Sequence, residues 1–174
     1  MRKQKGFSLI ELLIVVAIIL IIAAIAIPNL LRAKIAANES SAVSSIRLTN
    51  TAQVSYQSNY QAQGYSGTML ALGPPAATGC SGVLPTAASA CLIDWVLANA
   101  TAVATPKSGY YFAMGAFPAA PNTSFVVGGA AAAQNTTGVR GFCSNEEGVI
   151  RYVASAAGGP VATEAACVAY TPLQ

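Results

Sequence analysis

The sequence predicts an α+β fold in which a long N-terminal α-helix, its first half transmembrane, packs on a small antiparallel sheet of three or four strands. An apolar run over residues 7–31 is followed by a stretch with no Gly or Pro until Gly64. Four short strand-like segments then occur between residues 109 and 154, with short connections that favour antiparallel neighbours. Four cysteines, all downstream of the apolar run, indicate disulfide-closed loops.

The apolar run reads FSLIELLIVVAIILIIAAIAIPNLL, and residues 12–27 contain no polar side chain. A bilayer-spanning helix needs ~20 mostly apolar residues, so this run is long enough to cross a membrane. Glu11 stands at its edge. A carboxylate in such a segment is costly in lipid, which indicates a functional residue with a cationic partner. The alternative is a residue near the bilayer interface whose carboxylate only reaches water.

A basic leader, residues 1–6, precedes this run and contains three of the nine basic residues. By the positive-inside rule it marks the cytoplasmic end, although Arg32 and Lys34 at the other end weaken the preference. The downstream cysteines agree with an extracytoplasmic C-terminal part. A cleaved secretory signal has an apolar core of about 7–15 residues and a small-residue cleavage site, so we expect this longer segment to be retained.

The helix is predicted to continue to residue 60, as one element of about 50 residues and about 75–80 Å. Pro28 interrupts its apolar half because it removes one backbone hydrogen bond. Two interpretations stay open: a kink of the kind that membrane helices tolerate, or a weak point where the helix unwinds outside lipid. The second half has a moderately amphipathic pattern. Its apolar face comprises Ile35, Ala42, Ile46 and Tyr60, with Val43 and Val54 toward the edge.

Residues 61–174 are predicted to form the extracytoplasmic globular domain. Residues 61–106 are rich in Gly, Pro, Ala, Ser and Thr and indicate a long surface connection, with one short helix near residues 93–98 in which Trp95 is a packing anchor. Residues 107–154 carry the predicted strands (109–117, 124–130, 139–144 and 148–154), and residues 155–174 an irregular tail. Four cysteines allow three pairings; we favour Cys80–Cys91 and Cys143–Cys167 because each closes a local loop.

Composition argues against an enzyme, a metalloprotein or a nucleic-acid binder. The chain has no histidine, which excludes a Ser-His-Asp or Cys-His nucleophile. Glu146 and Glu147 are adjacent and unsuited to paired-carboxylate chemistry. The net charge is +3, but without the leader six basic and six acidic residues remain. We expect no cofactor and no metal. One alternative, a basic face made by Lys107, Arg140 and Arg151, is less favoured than scattered solvated charges.

The segment Gly6-Phe7-Ser8-Leu9-Ile10-Glu11 behind the basic leader, with Pro28 further on, resembles the class III signal of type IV pilins and pseudopilins. The short leader is similar to that of the type IVa branch. The resemblance implies that a prepilin peptidase cleaves between Gly6 and Phe7 and N-methylates Phe7. It also implies that the new Phe7 amine pairs with Glu11 and helps to register an incoming subunit. Unlike many family members, this chain has no Gly between Phe7 and Arg32.

The function implied is that of a structural subunit of a type IV pilus, with adhesion, motility or DNA uptake as properties of the fibre. The partners implied are further copies of the chain, the prepilin peptidase, the inner-membrane assembly platform and, before assembly, the lipid bilayer. Nucleic-acid binding by the single subunit is not expected. The alternatives are a pseudopilin of a type II secretion system and a minor pilin that acts as tip adhesin or DNA binder.

Overall fold

The computed structural model describes residues 7–117, 121–155 and 158–173. It divides into two compact units, the first ending at Lys34 and the second beginning at Ile35. The predicted leader, including Gly6, lies outside the described residues. One helix, α1 (Leu9–Asn59), contributes to both units and ends within one residue of the predicted boundary.

In the first unit, α1 presents almost all its side chains to the surroundings. This part contains a stretch that is long and apolar enough to cross a membrane by length and composition, and none of that stretch is buried. The helix continues through Pro28 without a break. A kink at Pro28 and unwinding of the helix on assembly therefore both stay predictions.

In the second unit, α1 buries a stripe of residues spaced three or four apart, as an amphipathic helix does. Ala42 and Ile46 lie in it, as predicted, and Ile35 and Tyr60 are half-buried. Val54, predicted to lie toward the edge of this face, is 56% exposed. Half of the stripe is polar, which the apolar pattern did not indicate. Its buried members are Glu39, Ala42, Ser45, Ile46, Thr49, Ala52, Gln53 and Tyr56.

The sheet has five antiparallel strands in sequential order, not three or four. The fifth strand comes from the tail that was predicted to be irregular, and it pairs with the fourth at Tyr152↔Thr171. The third and fourth strands are shorter than predicted. The strands are β1 (Tyr110–Phe117), β2 (Ser124–Ala131), β3 (Gly141–Asn145), β4 (Arg151–Val153) and β5 (Thr171–Pro172).

Three short helices complete the described fold. The helix predicted at residues 93–98 is present as α3 (Trp95–Asn99), and the Asp94 carboxylate accepts a hydrogen bond from the Leu97 backbone N–H at 2.7 Å, as an N-cap does. Trp95 itself is only half-buried. Two helices were not predicted: α2 (Met69–Leu72) in the connection and α4 (Glu164–Val168) in the tail.

The sheet is covered on both faces because neighbouring residues of a strand point to opposite sides. On one face, Phe142 of β3 belongs to the main core with Ile46 of α1. On the other face, Cys143 forms a smaller cluster with Val126 and Cys167. The Cys143–Cys167 disulfide lies in this cluster and holds α4 to the sheet, whereas Cys80–Cys91 closes the exposed loop in the connection.

Candidate functional site

Phe7 precedes α1 by two residues, and Glu11 lies in the first turn of the helix. Phe7 is exposed, and the Glu11 carboxylate accepts a hydrogen bond from the Ser8 backbone N–H at 2.9 Å. Ser8 immediately precedes the helix and its carbonyl accepts from the Leu12 N–H, so Ser8 is the N-cap and Glu11 occupies the third helical position. This is one half of a capping box, for which the Ser-x-x-Glu spacing was the available signal. Pairing of Glu11 with a Phe7 amine concerns the cleaved chain and stays a prediction.

Residues 7–31 expose an apolar surface that is unfavourable in water. Its large apolar side chains between residues 7 and 31 are 45–79% exposed. Soluble monomers rarely expose contiguous apolar patches of more than a few hundred Å². This part of α1 therefore requires lipid or the apolar surface of other protein chains around it.

An ion pair with a buried carboxylate joins α1 to the connection between β2 and β3. Glu39 is 5% exposed and its Oε2 lies 2.7 Å from Nη2 of Arg140. Its Oε1 accepts hydrogen bonds from the backbone N–H groups of Val139 and Arg140 at 3.1 and 3.0 Å. Burial acts to raise the pKa of Glu39, but the hydrogen bonds from Arg140 and Val139 outweigh it and leave the pKa lowered. The carboxylate is thus held in its charged form.

No role of Glu39 was predicted from the sequence, although a signal was available. Glu39 follows Ile35 by four residues and precedes Ala42 by three, so it lies in the stripe predicted to be buried. A carboxylate among apolar positions needs a cation, by the same reasoning that singled out Glu11. What the sequence alone did not supply was the partner, because Arg140 is 101 residues away.

Further polar bonds fix α1 against the rest of the second unit. The Asn38 amide donates to the Thr137 carbonyl at 2.8 Å, and the Asn50 amide donates to the Ser144 hydroxyl at 2.8 Å. Gln53 makes two bonds to the Ser66 backbone, one as donor and one as acceptor, each 2.8 Å long. Directional bonds of this kind define the register of a helix more narrowly than apolar contacts do.

The three basic residues considered for a nucleic-acid face each have a carboxylate partner. Arg140 pairs with Glu39, as described. Nζ of Lys107 lies 2.9 Å from Asp94, and Nη2 of Arg151 lies 3.2 Å from Glu147. Burial acts to raise the pKa of Asp94, but the bonds from Lys107 and the Leu97 N–H lower it on balance. This pairing does not favour a basic face.

The described residues contain no group of three His, Cys, Asp or Glu side chains placed to hold a metal ion. Glu146 and Glu147 are both exposed in the connection that follows β3.

Comparison with known proteins identifies the N-terminal segment. Residues 1–27 match the prokaryotic N-terminal methylation motif. The chain is 67% identical over 39 residues to the type IV wide pilus major component PilA4 of Thermus thermophilus, a match covering 22% of this chain and 30% of the relative. It is 48% identical over 54 residues to the type IV major pilin protein PilA of Myxococcus xanthus, covering 31% of this chain and 24% of the relative. No solved structure matches the chain significantly.

These matches confirm the resemblance to type IV pilins. The long N-terminal helix, the five-stranded antiparallel sheet and the two disulfides fit the α+β type IV pilin fold. The aligned segments span less than a third of the length of either relative. Both relatives are structural components of pili by name, and neither is named as an enzyme.

Proposed function

We propose that this pilin-like chain is a structural subunit of a type IV pilus, polymerised through the apolar half of α1. The observation that carries the proposal is the bare apolar surface of residues 7–31, joined to an N-terminal methylation motif. Lipid covers this surface in the unassembled subunit, and the same segment of other copies covers it in the filament. The chain then acts by assembling, not by catalysing a reaction.

Processing at the start of α1 creates the charge that assembly uses. Cleavage between Gly6 and Phe7 by a prepilin peptidase, followed by N-methylation, gives Phe7 a cationic amine. Glu11 is the carboxylate available to it, because the described structure gives Glu11 one exposed, local hydrogen bond. A buried, uncompensated carboxylate in an apolar helix bundle is strongly disfavoured, whereas a paired one is tolerated. Pairing therefore favours subunits that are correctly registered.

The same proposal places the chain in the cell. The basic leader holds the N-terminus in the cytoplasm, and the second unit, with its two disulfides, folds in an oxidising extracytoplasmic space. The inner-membrane assembly platform then extracts the subunit from the bilayer into a surface filament. Adhesion, motility and DNA uptake would be properties of that fibre. The ion pairing of Lys107, Arg140 and Arg151 leaves little support for a DNA-binding subunit.

The experiment is to purify surface fibres and to determine the mass and first residue of their main subunit. We expect a chain that begins at N-methylated Phe7 and lacks four hydrogens because of two disulfides. A subunit that retains the leader would contradict the processing step. Fibres built mainly of another chain would contradict a major-pilin role and favour the pseudopilin or minor-pilin alternative. The names of both relatives, a wide pilus major component and a major pilin, favour fibres built mainly of this chain.

A further inference from the structure

The charges that remain unpaired are distributed unevenly between α1 and the rest of the chain. Within residues 7–117, 121–155 and 158–173, three ion pairs use three cations and three carboxylates. The remaining cations all lie on α1, and two of the three remaining carboxylates lie on the globular part. The three cations are Arg32, Lys34 and Arg47. The two carboxylates on the globular part are Glu146 and Glu164, and the third carboxylate is Glu11 on α1.

Arg47 borders a groove on the second unit with a volume of about 490 Å³. Arg140 also lines the groove, with its side chain 42% exposed and already paired to Glu39. Because that pair compensates its own charge, Arg47 leaves the groove with a net positive charge. The hydroxyls of Ser40 and Ser44 add hydrogen-bond donors.

The rest of the groove is apolar, with Phe142 and Leu173 among the residues that line it. The combination of an uncompensated guanidinium, hydroxyls and apolar side chains suits a carboxylate carried on an apolar surface. A highly charged or phosphate-rich ligand fits less well, because the other guanidinium in the groove, that of Arg140, is already paired with Glu39.

The chain carries such a surface on α4. Glu164 is exposed, and Val168, one helical turn later, is 49% exposed, so the two side chains lie on one face. The Cys143–Cys167 disulfide, fully buried at both residues, anchors this helix to the sheet. The Glu164 carboxylate is thus held on a helix that is anchored to the sheet, next to the exposed apolar side chain of Val168. Glu146 is a weaker match because its neighbour Glu147 holds Arg151 close by.

The groove and α4 lie on opposite faces of the sheet. Phe142, which lines the groove, packs in the main core with α1, whereas Cys167 of α4 packs in the cluster on the other side. A contact between them must therefore join two copies. Since each copy would use a different patch, the contact is heterologous, and contacts of this kind generate helical filaments when they do not close into a ring.

We propose that the groove at Arg47 of one copy receives the Glu164–Val168 face of a second copy. The inference rests on the proposed function, since it names one contact between globular parts of the filament. The carboxylate of Glu164 binds the Arg47 guanidinium, and Val168 packs against the apolar part of the groove.

Charge reversal tests the contact in the full chain, with the yield of sheared fibres as the readout. R47E and E164R should each lower the yield about tenfold, because each places like charges against each other at the contact and about 1.4 kcal/mol of lost binding corresponds to a factor of ten. The double variant R47E/E164R should restore it to within about twofold, since opposite charges face each other again. E146R is the matched control and should leave the yield nearly unchanged.

Cysteine cross-linking gives a second readout that does not depend on charge. The variant Ser44→Cys/Ala165→Cys should produce a ladder of covalent multimers in oxidised fibres, whereas Ser58→Cys/Ala165→Cys should not. Failure of the double reversal to restore fibres, or the same ladder from both cysteine pairs, would overturn the contact. Those results would leave the proposed function intact, because the unmodified chain still forms fibres. A chain that forms no fibres at all would instead remove the premise.

Discussion

Three groups on the β2–β3 connection hold Glu39 as a carboxylate. They are the backbone N–H of Val139, the backbone N–H of Arg140 and the guanidinium of Arg140. Two hydrogen-bonded backbone donors and one cation around a nearly buried acid make the charged form the stabilising one. Protonation removes the cation pairing and weakens all of these bonds at once. The attachment of α1 to the β2–β3 connection is therefore sensitive to acid.

The pH dependence of stability has a defined sign. The pKa of Glu39 is lowered from its ordinary value of 4.5 in the folded chain, so its stabilisation is present above the unfolded pKa. This stabilisation is lost as the pH falls through the lowered pKa that Glu39 has in the folded chain. Glu39→Gln should cost about 2–3 kcal/mol at neutral pH and much less in acid. Thermal unfolding of the detergent-solubilised full chain between neutral pH and pH about 3 measures this.

Glu147→Gln is the matched control for that experiment. Glu147 also pairs with an arginine, but its side chain is 57% exposed. The Arg151 side chain is 16% exposed, but the Glu147 carboxylate reaches water, so the pair should contribute about 0–1 kcal/mol and this variant should stay close to the unmodified chain at every pH. If both variants shift the unfolding temperature equally, burial of Glu39 is not the cause.

Gly128 is required by close approach of the tail to the sheet. A Cβ on Gly128 would collide with the backbone of Val161, including its carbonyl oxygen. Since backbone atoms give way less easily than side chains, Gly128→Ala should destabilise the chain by about 1–3 kcal/mol. Gly158→Ala is the control, because nothing lies within 4 Å of the added Cβ. Equal unfolding temperatures for the two variants would contradict this close packing.

Among the elements, the long helix and the first two strands could be predicted from the sequence because their signals are local. The helix follows from length and the absence of Gly and Pro, and β1 and β2 from apolar, β-favouring runs. The strand β5 has two residues and exists only because it pairs with β4. Such a strand has no sequence signal of its own, and α4 depends likewise on the disulfide that fixes it.

Removal of the two disulfides should affect the fold unequally. The chain-entropy effect is similar, about 3 kcal/mol for each loop, with separations of 11 and 24 residues. Cys143 and Cys167 are fully buried, so Cys143→Ala/Cys167→Ala also leaves a void and frees α4 and β5. We expect it to cost about 4–5 kcal/mol, against about 2–3 for Cys80→Ala/Cys91→Ala.

Unfolding of the two disulfide variants under identical conditions measures this difference. Protease digestion gives a second readout, because cleavage should occur in the tail of the first variant and in the 80–91 loop of the second. Equal destabilisation would show that the second cluster on the sheet contributes little. A larger destabilisation from loss of Cys80–Cys91 than from loss of Cys143–Cys167 would contradict the assignment of Cys143–Cys167 to the core.

For the whole molecule, the N-terminal segment was predictable and the contacts of the globular part were not. Gly6, Phe7, Glu11 and Pro28 lie within one stretch of 23 residues, so their spacing in the sequence alone carries the resemblance. The pairing of Glu39 with Arg140 joins residues 101 positions apart. Only the folded chain shows which cations are already compensated, and therefore that Arg47 and Glu164 remain for contacts between copies.

The Glu11 side chain carries a charge and also accepts the capping hydrogen bond from the Ser8 N–H, so two variants are needed to separate the two roles. Glu11→Ala removes both the charge and the acceptor for the Ser8 N–H. Glu11→Gln removes the charge but keeps an acceptor, because glutamine serves at this position of a capping box. If Glu11 acts by pairing with the Phe7 amine, both variants should remain membrane-held and folded but give far fewer fibres. Fibre yield and membrane content, compared for the two variants, test this. Normal fibres from Glu11→Gln, with few from Glu11→Ala, would instead assign Glu11 to helix capping and remove the pairing from the proposed assembly.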